Sequence, residues 1–512
     1  MLRLFGGKSD HPMADIQSAQ ALLDEIPKHD ALKALQEMTA WIGSVREQAG
    51  FRLDHQLAVL CLLDETARPF ERRLTSDYFS AHSLSTFQEN RLWNALSGFF
   101  EQLLQAYHTV LVRYRNGDKG SSAIKLGLPL LAVRGISAAT GKLKYAAARY
   151  ALVEQASWAY LAEFYVHAET HEYLGERVQL QGGSDVHTSV RSEFSAVLIW
   201  YASSAATLNR LDAHLAERLV AHLAGDFSVA RQYEPDSSCF GFDLLRPAPP
   251  MRVSTQTVPR PAMRFIGVHN LQPHIEVLLN ALQSGIVPEE VDLGGVYGID
   301  AVRGVLKHLA ESLAFPPPKR RSVRRNISLS MNVANGFYKV MEQTNIGLSL
   351  GRDNGTSCEV EDISMGGFRC ILPSPRPGEM AIGSLMGIRP DNLDRWGVGI
   401  VRRISRDPMS NLHVGVEVLT NKVTGVGLRR YMEDDVQPAL WLHNSVEDED
   451  DDSSEVSLLM SHDTYSGNRK LRVTLANRDY VLEPMALMEK GEDYDLVRFR
   501  RIASDPAVHD FH

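Results

Sequence analysis

The sequence predicts an α+β multidomain protein. A mostly helical N-terminal region comes first, then a small closed β-barrel, then a small β-rich C-terminal segment. Three observations carry this reading. The 512 residues exceed one typical core, since domains run to about 100–200 residues. Apolar residues recur every three or four positions in the first part of the chain. Beyond Pro316-Pro317-Pro318 the apolar period switches to two.

Each element has its own signal. Leu92, Leu96, Phe99, Leu103, Tyr107 and Val110 make one helical stripe, and Leu208, Leu211, Leu215, Leu219 and Leu223 make another. The alanine-rich stretch 144–156 adds helix propensity. Together they predict a helical domain over residues 10–225, with no fixed repeat. Residues 226–317 read as a mixed connecting region. It is broken by Pro247, Pro249 and Pro250 and carries helices at His274–Leu282 and Ile299–Phe315. The triple proline is a stiff boundary. Ile327, Leu329, Met331 and Val333 then alternate with polar residues as a half-buried strand. Further strands are expected at Ser357–Ile363, Phe368–Leu372, Leu385–Arg389, Gly397–Ile404 and His413–Leu419, with a closing helix at Thr424–Asp435. Residues 334–356 read as a long hairpin or loop insertion. The barrel is assigned to residues 318–435 and the acidic run around Glu447–Asp452 to a linker, 446–455. A small β unit follows at 456–505.

Composition narrows the function classes. Apolar and charged fractions of 44% and 23% are those of an ordinary soluble protein. A net charge of −9 argues against wholesale binding to nucleic acid or anionic membrane. Cys61, Cys239, Cys358 and Cys370 form no C-x-x-C pair, so buried reduced thiols are expected. The N-terminus has no secretory apolar core, and the longest uncharged stretch, Phe194–Asn209, is too short to span a bilayer. A cytoplasmic protein without a transmembrane segment is expected.

Two motifs point to a ligand. Lys319, Arg320, Arg321, Arg324 and Arg325 form a basic run containing two R-x-x-x-R registers. Asp362-Ile363-Ser364-Met365-Gly366-Gly367 reads as D-x-S-x-x-G. Arginine forks onto phosphate oxygens and stacks on flat bases, which lysine does not do. Asp362 can accept hydrogen bonds from a guanine N–H edge. Ser364, two residues on, shares its face if the strand persists. Gly366 and Gly367 permit positive φ and close approach of a ligand.

In this order, flanking strands, the motifs resemble the signature of PilZ domains. The resemblance covers roughly residues 318–435. It implies a six-stranded antiparallel barrel that binds cyclic di-GMP on its outer face, between the arginine segment and the second motif. The implied site is Arg320, Arg324, Asp362, Ser364 and Gly367, with Arg321 and Arg325 as the alternative register. The first register is favoured because Ile327 follows Arg324 by three. No other cofactor and no metal is implied. The implied role is a cyclic di-GMP receptor acting on motility, pili or exopolysaccharide through a protein partner of the helical region. The rivals are a nucleic-acid-binding protein using the basic run and a scaffold with a ligand-free barrel.

Two weaker signals are set aside. Gly135–Leu143 has P-loop flavour, but its glycines are one residue too far apart and Leu143 replaces the magnesium-binding hydroxyl. His167, Glu169 and His171 lack the H-E-x-x-H order and read as a polar helix face. No nucleophile or acid–base pair is placed, so no enzyme activity is expected.

Overall fold

The computed structural model describes residues 11–80, 84–180, 187–235, 237–254, 256–268, 271–314, 323–344, 355–373, 380–430, 436–443, 454–475 and 478–503. The chain divides into two compact units, residues 1–206 with 210–318, and residues 207–209 with 319–512.

The first unit is built on helices α1 (Ile16–Asp24), α2 (Ala31–Glu47), α3 (Leu53–Ser80), α4 (Thr86–Arg115), α5 (Leu128–Ala147), α6 (Gln155–Thr170), α7 (Val190–Ser204) and α8 (Arg210–His222). Local chemistry starts several of them. Asp15, Asp30 and Ser189 accept from the first-turn amides of α1, α2 and α7, and Ser85 with Gln88 closes a capping box on α4. Of the stripe expected on α4, Leu96, Phe99, Leu103, Tyr107 and Val110 are buried and Leu92 is half-buried. The P-loop-like stretch lies within α5. A Cβ at Gly135 would meet the Phe164 ring at 2.3 Å, and one at Gly141 would meet Phe100 at 2.2 Å. These glycines let α4 and α6 approach α5, so their role is packing. Among the described helices, the segment Ser121–Ala147 is long and apolar enough to cross a membrane. It is packed as a core helix, with Leu131, Val133, Ile136 and Leu143 buried.

The mixed region belongs to this unit and is not a separate connector. After the short pair β1 (Val178–Gln179) and β2 (His187–Thr188), strands β3 (Phe227–Ala230), β4 (Ser238–Asp243), β5 (Met251–Arg252) and β6 (Met263–Val268) form an antiparallel sheet ordered β3-β6-β4-β5. Phe242 of β4 packs on Trp158 of α6 and Phe194 of α7. Arg264 of β6 forks onto Glu169 of α6 at 2.9 and 2.5 Å. Glu169 is therefore a structural anion rather than part of a metal triad, and no metal-holding cluster occurs among the described residues. Helices α9 (Leu271–Ala281) and α10 (Ile299–Ser312) complete the unit.

The second unit holds two closed barrels where one was expected. Strands β7 (Arg325–Asn335), β8 (Thr356–Ser364), β9 (Gly367–Leu372), β10 (Leu385–Pro390), β11 (Gly397–Arg406) and β12 (Leu412–Thr420) close in the order β10-β11-β12-β9-β8-β7, antiparallel throughout. Helix α11 (Phe337–Thr344) fills part of what read as a hairpin or loop insertion between β7 and β8. The second barrel comprises β13 (Val423–Arg430), β14 (Val436–Leu442), β15 (Glu455–Ser461), β16 (Leu471–Leu475), β17 (Arg478–Lys490) and β18 (Tyr494–Ala503).

The expected helix at Thr424–Asp435 is thus corrected. Gly425 and Gly427 weaken a helix there, and Val426 and Leu428 alternate into the second core, with Val423 paired to Leu442. The second barrel begins at Val423, so the C-terminal β region is larger than 456–505 and the first barrel ends by Thr420. Most of the expected acidic linker, and Pro316–Pro318, fall outside the described residues.

One apolar core spans both barrels. Phe337, Val340 and Met341 of α11 and Leu385, Trp396, Val398 and Ile400 of the first barrel pack with Val423, Leu440, Leu442, Leu459 and Tyr494 of the second. The Asp493 carboxylate, from the β17–β18 turn, accepts from the amides of Phe337 (2.6 Å) and Leu385 (2.9 Å). Burial raises its pKa, against the pull of these two bonds.

Replacing Asp493 with Ala leaves two amides without an acceptor. Denaturant unfolding of the barrel unit should show a loss of about 2–4 kcal/mol, with Asp493→Asn in between. In the helical unit, burial holds the His167 imidazole down at about 4, helped by His171 and Arg115. The unfolded chain therefore binds the extra proton first, and stability is lost as pH falls from 6.5 towards 4. His167→Gln should flatten the stability–pH slope in that window by up to about one proton.

Candidate functional site

The site forms where β7 begins and the β8–β9 hairpin turns. Register pairs Arg325 with Ile363 and Asn326 with Asp362 across β7 and β8, and Ser364 with Gly367 across the hairpin. Both strands are bulged there. β7 slips between Asn326 and Leu329, and β8 slips between Val360 and Asp362. The expected alternation holds for only part of β7. Met331 and Val333 are buried, whereas Leu329 is exposed and Ile327 half-exposed.

Arg324 Nη1 donates to both Asp362 oxygens, at 3.0 and 3.2 Å. The arginine side chain is 49% exposed and the carboxylate 14%, so a solvent-facing cation rests on a mostly enclosed anion. Arg325 is exposed beside it. Arg320 and Arg321, the first members of the two registers, lie outside the described residues, as does Lys319. Arg324 and Arg325 therefore represent one register each, and Arg324 is the one that reaches Asp362.

The hairpin glycines work differently from the expectation. Neither Gly366 nor Gly367 adopts positive φ. A Cβ at Gly367 would lie 2.1 Å from the Val416 carbonyl oxygen, whereas Gly366 has nothing within 4 Å. Gly367 is set by the close approach of β12. The Ser364 hydroxyl donates to the Gly367 carbonyl at 3.1 Å, so it braces the hairpin and keeps only its oxygen as an acceptor.

Sequence reasoning missed a second charged group beside the first. Arg369 of β9 pairs with Glu361 at 2.8 Å, and His413 of β12 bonds Glu361 at 3.0 Å. The β8 bulge at Glu361 turns adjacent carboxylates, Glu361 and Asp362, onto separate arginines. Arg369, opposite Asp362 in register, was the available signal. Exposed apolar side chains rim the region: Val323, Ile363 and Met365.

The fold and site thus define a class: a small antiparallel barrel bearing an arginine–carboxylate pair on its surface, carried on a chain with a large helical unit. Comparison with known families gives a finding for that helical unit. Residues 17–233 match the family model described as the N-terminal domain of the cyclic-di-GMP receptor FimW. No curated protein matches the chain significantly.

Gly367→Ala forces β9 and β12 apart and should lower the barrel unit's stability by about 1–3 kcal/mol. Gly366→Ala, with open space around it, should leave the melting temperature unchanged.

Proposed function

We propose that the chain is a cyclic di-GMP receptor whose ligand sits on the first barrel, between the arginine segment and the β8–β9 hairpin. The observation that supports it most is the Arg324–Asp362 contact, which joins two motifs 38 residues apart in sequence. The description of the family matched by residues 17–233 is that of a cyclic di-GMP receptor, which supports the same ligand.

The chemistry follows from the two groups. A phosphodiester oxygen competes with the Asp362 carboxylate for the Arg324 guanidinium. Once released, Asp362 accepts from guanine N–H groups. Arg325, with Arg320 or Arg321, supplies further guanidinium forks, and the exposed Val323, Ile363 and Met365 give apolar surface for the base faces. The exchange needs no catalytic group, so the protein acts as a receptor and not as an enzyme. Ligand binding biases how the helical unit engages a protein partner in the cytoplasm. Motility, pili and exopolysaccharide production are the outputs to examine.

Calorimetry with cyclic di-GMP tests the reading. Wild-type protein should give a saturable signal. Arg324→Ala and Asp362→Ala should each weaken binding about tenfold to a hundredfold, and the Arg320→Ala, Arg324→Ala double variant should abolish it. No heat at roughly tens of micromolar ligand sinks the proposal. Equal affinity of both single variants and wild type would move the ligand elsewhere.

A further inference from the structure

The helical unit contains a cleft of about 460 Å³ between the end of α4, the 3₁₀ segment Ser121–Gly127 and the end of α6. It is remote in sequence from the barrel motifs, and its lining carries two cations and several hydroxyls. Lys125 lines it and has no ion pair among the described residues. Tyr114 and Ser122 line it and make no hydrogen bond through their hydroxyls among the described residues. Arg115 lines it and pairs with Glu163 at 3.0 Å, and Glu163 also takes His108.

The floor carries the most telling group. His167 is only 7% exposed. Its Nδ1 bonds the Tyr173 hydroxyl at 2.6 Å, and its Nε2 has no partner. Buried polar atoms are nearly always satisfied, so an orphan at the base of a polar cleft marks a place where a ligand or water belongs. The exposed His171 ring stacks over His167 at 4.1 Å, with its Nδ1 held by the His167 carbonyl. It covers the floor, so a ligand reaches His167 Nε2 only if this ring moves.

Among the described residues, two cations, one of them without an ion pair, two hydroxyls that make no hydrogen bond and an imidazole nitrogen without a partner make an anion site rather than a metal site. Among the described residues the lining contains no carboxylate. The donors come from three segments of the chain, the end of α4, the 3₁₀ segment and the end of α6, and a phosphoryl group has oxygens enough to take several of them at once. We propose that this cleft binds a phosphate monoester or free phosphate, with Lys125 and Arg115 taking the charge and Ser122, Tyr114 and His167 completing the oxygen shell. This site is independent of the barrel reading.

The test uses the full chain, with calorimetry and thermal shift. The probes are inorganic phosphate, AMP and, as a control, adenosine. Saturable binding of phosphate or AMP with Kd near or below about 1 mM is expected. Binding by phosphate alone would identify the free ion as the occupant; tighter binding by AMP would identify a phosphate carried on a nucleoside. Lys125→Ala, at an exposed position, should weaken either by about tenfold, Lys125→Arg should restore most of it, and Ser122→Ala should weaken it less. Arg324→Ala should leave it unchanged, which separates this site from the barrel. Absence of saturable binding by both anions, adenosine binding as well as AMP, or full affinity in Lys125→Ala would each overturn the proposal.

Discussion

Much of the second unit depends on one buried carboxylate. Asp493 leaves the tip of a hairpin in the second barrel and accepts from two amides of the first, Phe337 at the start of α11 and Leu385 at the start of β10. That pair of bonds seats α11 between the barrels, where Phe337, Val340 and Met341 join a core drawn from both. Burying such side chains stabilises by about 1.5–3 kcal/mol each, and the carboxylate decides where they are buried. A second link lies on the surface: Arg402 of β11 forks onto Glu489 of β17 at 2.7 Å and also holds Glu417 of β12. The two barrels therefore behave as one packed body and not as beads on a linker.

The candidate site is built on that rigid support. β12 fixes Gly367 through the Val416 carbonyl, the hairpin fixes Ser364, and the β8 bulge turns Glu361 and Asp362 towards different arginines. An arginine already resting on the carboxylate keeps both charges partly satisfied before any ligand arrives. In the proposed binding mode a ligand would exchange partners instead of meeting bare charges, which lowers the desolvation cost of binding.

Much of the barrel was legible in the sequence. Period-two runs located β8 to β12 within two residues at either end, because each packs one face against a core and turns at glycine, asparagine or proline. The motif pair was legible through residue type. Three features were not. Thr424–Asp435 reads as a helix but Val423–Arg430 is a strand, because its glycines and branched residues fit a strand only when Leu442 and its neighbours pair with it. The insertion after β7 contains a helix whose apolar face, Phe337, Val340 and Met341, makes sense only against two barrels. The Glu361–Arg369–His413 group depends on a bulge, and register is a property of pairs of strands.

By itself, the sequence determined the α+β class, the helical stripes, the alternation of the first barrel and the candidate ligand residues. All of these are set by local period and side-chain chemistry. Only the tertiary structure decided that a second barrel closes from Val423 onward, that residues 226–317 pack into the helical unit through Arg264 and Glu169, and that Arg324 is the arginine that meets Asp362. Each of those rests on contacts between residues far apart in the chain, whose cost in chain entropy is repaid only when the whole unit packs.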